Sequence, residues 1–140
     1  ARLWKGAKYA TEKCMPNVAF IRSRIEFIES LFAEGEVSEI WITFPDPQPN
    51  KERKRLMSPR FVEKYKHFLS SDGVLNLKTD SRLLYDYIRE VIPQQNWTLL
   101  EDIEDIYASG ESSILTEIQT FYEKHWLEGG STISYVRWRV

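Results

Sequence analysis

Apolar positions along the chain switch between two periods. Leu3, Trp4, Ala7 and Ala10 fall three or four apart, so residues 2–13 read as an amphipathic helix, broken at Pro16-Asn17. Residues 18–21 form a short continuous apolar run and read as a buried strand. Ile25, Phe27, Ile28, Leu31 and Phe32 give a second helical stripe that stops at Gly35. Residues 37–44, with Ile40, Trp41 and Ile42, carry the strongest strand signal. Ser58-Pro59 opens a helix by cap and first-turn chemistry, and Phe61, Val62, Tyr65, Phe68 and Leu69 are its core stripe. Ser71-Asp72-Gly73 turns the chain into a strand over 74–77. Asp80-Ser81 caps the next helix, whose core face is Leu83, Leu84, Tyr87, Ile88 and Val91 and which Pro93 ends. A strand begins over 97–100. Ile114, Ile118, Phe121 and Tyr122 predict a helix reaching Gly129-Gly130, and residues 133–140 close the chain as a strand.

Helices alternating with short, continuously apolar strands predict an α/β fold with an open, mostly parallel sheet covered on both faces. Ligands of such sheets bind beyond the carboxyl ends of the strands. Asp46 follows the strand ending at Phe44, and Asp80 follows the strand ending near Lys78. Both carboxylates therefore belong at one edge of the sheet. Pro45 and Pro47 restrict the backbone on either side of Asp46, which fixes that acid at little entropic cost. A tripeptide of this kind taken by itself reads first as a simple turn. What changes the picture is its continuation into cations, with a second acid at the neighbouring strand end.

The formal net charge of −2 does not advertise a nucleic-acid partner; the distribution of charge says more, and is open to a polyanion site or to plain solvated surface. Lys51, Arg53, Lys54, Arg55, Arg60, Lys64 and Lys66 crowd one stretch against only Glu52 and Glu63, whereas residues 101–128 are strongly acidic. One basic sector lets a chain grip a polyanion locally while staying soluble. The 140 residues are enough for one domain with a real core. No apolar run approaches a membrane span, and residues 1–15 do not read as a signal peptide. The lone Cys14 fits a reducing, cytoplasmic setting, and it reads as a packing residue rather than a reactive one. His67 and His125 make no metal cluster with it, so no metal is expected.

Three stretches together resemble a known family. Phe44-Pro45-Asp46-Pro47, followed by cations and then Arg55-Leu56 and Phe61, is similar to the first signature of the bacterial tRNA (guanine-N7) methyltransferases. Leu77-Lys78-Thr79-Asp80 resembles the second, and Thr120-Phe121-Tyr122-Glu123 the third. The order and separations fit, and the similarity runs over essentially the whole chain. The resemblance implies a Rossmann-like class I fold and transfer of the S-adenosylmethionine methyl group to guanine N7 in the tRNA variable loop. It implies Asp46 as the catalytic residue, between cofactor methyl and base. Asn50, Lys51, Arg53, Lys54, Arg55, Asp80, Thr120, Tyr122 and Glu123 would contact tRNA. Guanine N7 carries a lone pair and no proton, so positioning and charge stabilisation replace a general base. One carboxylate is expected to accept from guanine N1–H and N2–H, and the sequence leaves Asp46 and Asp80 both open for that role.

Departures from the family pattern matter too. Gln48 stands where the family often has Trp, and Asn50 where Lys is common. An acid expected near the cofactor adenine is replaced by Arg24, with Glu26 the nearest substitute. The chain has six glycines and no Gly-x-Gly turn. The resemblance therefore implies residues 1–140 as one domain fragment, the carboxyl-terminal portion of an incomplete fold whose first two strands and Gly-rich loop lie elsewhere. By itself such a fragment is expected to bind cofactor negligibly and to form a homodimer or a strand-swapped association. Two other readings stay open: a non-catalytic RNA-binding or assembly module, and a methyltransferase acting on nucleic-acid amino groups.

Overall fold

Alternation of side chains across the strands decides the architecture. In the central strand Leu75 and Leu77 are fully buried on one face, while Asn76 and Lys78 point to the other. The computed structural model describes residues 2–108, 110 and 112–140, and the side chains of Arg2 and Phe121 lie outside that description. Its sheet comprises β1 (Val37–Thr43), β2 (Leu69–Thr79), β3 (Thr98–Ile103) and β4 (Ser134–Arg139), in the order β1-β2-β4-β3. β1 and β2 are parallel, and β4 is antiparallel to both β2 and β3. Three strands thus share one direction, with β4 inserted against them. This is the mixed α/β sheet expected of a partial class I methyltransferase fold.

One face is closed by α2 (Pro59–Lys66) and α3 (Arg82–Gln94). Their stripes Phe61, Val62, Tyr65, Leu84, Ile88 and Val91 pack on Ile42, Leu75, Leu77, Val136 and Trp138. Burying a side chain of this size is worth about 1.5–3 kcal/mol, so this layer supplies most of the cohesion. A short 3-10 helix, Ile25–Leu31, lies against α2, with Ile25, Ile28 and Phe32 reaching the same core. A second 3-10 turn, Glu52–Lys54, precedes α2.

Several expectations are corrected. Residues 18–21 form no strand: Val18, Phe20 and Ile21 are exposed, because no strand of the sheet runs beside them to take their hydrogen bonds. The stretch follows α1 (Arg2–Glu12), on which Phe20 folds back close to Gly6. The strand expected over 74–77 is longer at both ends. The single late helix divides into α4 (Ile114–Glu117) and α5 (Phe121–Glu128), because Ile118 leaves helical geometry and Thr120 starts a new N-terminus. Pro93 lies inside α3, which ends one residue later.

Candidate functional site

Parallel pairing brings two strand ends to one place. Thr43 is in register with Lys78, and the Phe44 amide donates to the Lys78 carbonyl at 2.8 Å. The loop bearing Asp46 and the loop bearing Asp80 therefore leave the sheet at adjacent points on the same rim. Phe44 and Gln48 both adopt positive φ, 48° and 46°, so the chain turns sharply on each side of the proline-bracketed acid. Asp46 is exposed. Its Oδ1 accepts from the Gln48 amide at 3.1 Å and its Oδ2 from the Gln48 side-chain amide at 2.9 Å.

Asp80 is held differently. Capping of α3 falls to Ser81, whose hydroxyl accepts from the Leu84 amide and whose own amide donates to Thr79 Oγ1 at 3.0 Å. The half-buried Asp80 carboxylate is left without a side-chain partner among the described residues. One rim acid is thus clasped by its own loop, and the other has no such partner among the described residues.

Of the cations and polar residues after Asp46, Asn50, Lys51, Arg53 and Lys54 are exposed, on and around the 3-10 turn. Arg55 is not. It is 8% exposed, its Nε donates to the Pro47 carbonyl at 3.2 Å, and its guanidinium lies 4.4 Å from the Tyr87 ring centre. Arg55, expected to grip phosphate, staples the Asp46 loop to α3 in this fold. Glu26 sits on the 3-10 helix packed against α2 and pairs loosely with Arg24.

Thr120 caps α5: its hydroxyl accepts from the Glu123 amide at 3.1 Å, while Glu123 Oε2 accepts from the Thr120 amide at 3.2 Å. That reciprocal pair is a capping box, which accounts for the Thr and Glu at this spacing. Glu123 is nevertheless fully buried. Its Oε1 lies 2.6 Å from Lys78 Nζ and accepts from the Tyr107 hydroxyl at 2.6 Å, and Gln119 donates to Tyr107 at 3.0 Å. Burial and the bond to Glu123 push the Tyr107 phenol up to about 12. Glu123, expected to contact tRNA, is thus engaged inside the protein in this fold, whereas Thr120 is half-buried and Tyr122 exposed. The sequence marks Lys78 only as a strand end and as part of the Leu77–Asp80 stretch; the signal for its role as a buried cation is a lysine between Leu77 and Thr79 in an apolar strand.

On the sheet face opposite α2 and α3 lies a cleft of about 970 Å³. Trp41 and Tyr135 stack on its floor at 5.8 Å. The Tyr135 hydroxyl donates to Asn76, and Asn76 donates to Glu39 at 2.9 Å. Thr43, Lys78, Leu115 and Thr120 line the end nearest the rim. Among the described residues no group of His, Cys, Asp and Glu is placed to hold a metal, and no helix is long and apolar enough to cross a membrane.

Comparison with known proteins adds a family. Residues 3–136 match the model of a family described as "Putative methyltransferase". The chain is 44% identical, over its whole length, to 56% of a tRNA (guanine-N(7)-)-methyltransferase from Bacteroides thetaiotaomicron. A protein of the same name from Christiangramia forsetii is 46% identical over 100% of the chain and 64% of the relative. For the one from Porphyromonas gingivalis the identity is 47%, over 97% of the chain and 56% of the relative. The chain thus spans somewhat over half the length of these curated relatives.

Proposed function

The chain belongs to the methyltransferase family matched by residues 3–136, and from that premise we propose that it works in a tRNA (guanine-N7) methyltransferase that uses S-adenosylmethionine. Residues 1–140 act in it as one domain unit that holds the target base and the tRNA backbone. The observation that carries this reading is the meeting of Asp46 and Asp80 at one sheet rim, beside the exposed Lys51, Arg53 and Lys54.

The rim suits one end of the cofactor. Asp46 is an exposed carboxylate fit to stand beside a sulfonium-bearing group. No glycine lies at the carboxyl end of β1 or β2 to cradle the remainder. When bound, the cofactor supplies an electrophilic methyl group. The chain's own residues do the rest by placement.

N7 of guanine needs no deprotonation, and its attack leaves the purine positively charged. A fixed carboxylate accepting from N1–H and N2–H holds the ring and favours the cationic form. Asp80 suits that task better, because its carboxylate is unpaired among the described residues while both Asp46 oxygens accept from Gln48. Asp46 then acts by its charge at the methyl-bearing end. Lys51, Arg53 and Lys54 neutralise phosphates and position the tRNA without reading its sequence. Asn50, Thr120 and Tyr122 complete the substrate side.

The test is single-turnover methyl transfer to unmodified tRNA by the complete protein, with the modified base mapped. A 7-methylguanine in the variable loop is expected, with Asp46→Asn and Asp80→Asn each slowing its formation. Wild-type rates in both variants, or a different methylated base, overturn the proposal.

A further inference from the structure

Residue 78 links the start of the Asp46 loop to the segment 115–123. Its carbonyl takes the Phe44 amide that launches the Asp46 loop, and Asp80 lies two residues on. Its side chain, 5% exposed, runs the other way, under the segment 115–123. There the ammonium donates to the Leu115 carbonyl, reaches the Ile118 carbonyl at 3.4 Å, and pairs with Glu123 at 2.6 Å. An ammonium has three donors, and all three are used within one short stretch of chain.

The partners are informative. Leu115 lies in the single turn of α4 and Ile118 is its C-cap, so their carbonyls are among those that helical bonding leaves unpaired at a helix end. Glu123 comes from the first turn of α5, and Thr120 lies between the two sets of contacts. A cation satisfying both a helix end and a capping-box acid fixes where Thr120 stands relative to Asp80. The Tyr107 hydroxyl donates to the same Glu123 oxygen, and Gln119 in turn donates to Tyr107. A buried pair of this kind is poor evidence of net stability, since an apolar pair of similar volume often does as well. It does define one arrangement of the chain.

We infer that Lys78 is a positioning residue that fastens the 115–123 segment to the end of β2, so that Thr120 and the two rim acids face one substrate. The inference rests on the proposed function for its consequence in methyl transfer, but the fastening itself is readable without activity.

The experiment uses the complete protein and Lys78→Met, with Lys78→Arg as the conservative replacement. The double variant Lys78→Met/Glu123→Gln leaves no unpaired buried charge, so it serves for exchange should the single variant fold poorly. Amide hydrogen exchange across 115–123 is expected to quicken about tenfold, while the amides of Leu84 and Ile88 in α3 stay as in the wild type. The single-turnover rate at saturating tRNA is expected to fall about thirtyfold with tRNA affinity held within about threefold, and Lys78→Arg to recover most of it. Unchanged exchange across 115–123 overturns the fastening. Faster exchange with an unchanged rate reduces Lys78 to a packing role and overturns the positioning. If the wild-type protein methylates no tRNA, the functional reading falls, and the exchange result alone still decides whether Lys78 fastens the segment.

Discussion

Gln48 donates to both oxygens of Asp46, from its backbone amide and from its side chain, and it does so at a positive φ of 46°. The carboxylate is thereby aimed before any ligand arrives. Preorganised charge of this kind counts most where charge develops during reaction. Gln48→Ala removes the side-chain bond and keeps the backbone one. A single exposed bond is worth about 0.5–1.5 kcal/mol, so a loss of roughly threefold to tenfold in single-turnover rate is expected. Gln48→Glu sets a like charge against Asp46 and is expected to cost more. A Glu variant as fast as the wild type would show that the aim of Asp46 is irrelevant.

The cations after the loop divide into two kinds, and mutation should separate them. Lys51, Arg53 and Lys54 are exposed, whereas Arg55 is buried over Tyr87 and bonded to Pro47. Alanine at any of the first three is expected to weaken tRNA binding and flatten its salt dependence by about 0.7–0.9 in the log–log slope. Arg55→Ala is expected to leave that slope alone and to lower stability by about 1–2 kcal/mol through the lost stacking and hydrogen bond. Binding titrations over a range of salt, with urea unfolding beside them, give both readouts.

That division marks where the sequence was legible and where it was not. Strand 37–44, helices α2 and α3 and the shared rim of Asp46 and Asp80 follow from periodicity and from the rule for parallel strand ends. Arg55 and Glu123 look like surface charges because nothing local says otherwise. Their burial depends on Tyr87 and Lys78, each more than thirty residues away in the chain. Residues 18–21 misled in the opposite sense: an apolar run forms a strand only beside a neighbour, and here none is adjacent. The capping box of Thr120 and Glu123 was readable as a helix start. It passed for substrate chemistry alone because the two roles use the same residue types.

Buried phenols set the alkaline limit. Burial raises Tyr85, Tyr87, Tyr107 and Tyr135 from 10.0 to about 12, and pushes Tyr65 further still. The folded state therefore prefers the protonated phenols. Their contribution is fully present below pH 10.0 and is lost as pH rises through about 12, because the unfolded chain ionises first. Thermal midpoints should fall steeply from about pH 10 upward. Tyr107→Phe is expected to soften that fall. A flat profile across this window would mean that the phenols are not sealed from water as the fold places them.

The outer side of β1 sets the last expectation. β1 pairs with β2 on one side only, and its other edge has no partner strand among the described residues. Trp41, 41% exposed, stands beside that edge on the open cleft face. An unblocked edge next to exposed aromatic surface is a template for a second chain. The 140-residue chain alone is therefore expected to associate as its concentration rises, through β1 of two copies. Adding charge there, with Trp41→Lys, should shift the association to higher concentration, since cationic edge positions are a usual guard against pairing. Light scattering across a dilution series decides it. A mass that stays that of one chain at every concentration removes the edge as an association site, and an association that Trp41→Lys leaves untouched places the contact elsewhere, with the exposed Leu3, Trp4 and Tyr9 of α1 as the next surface to alter.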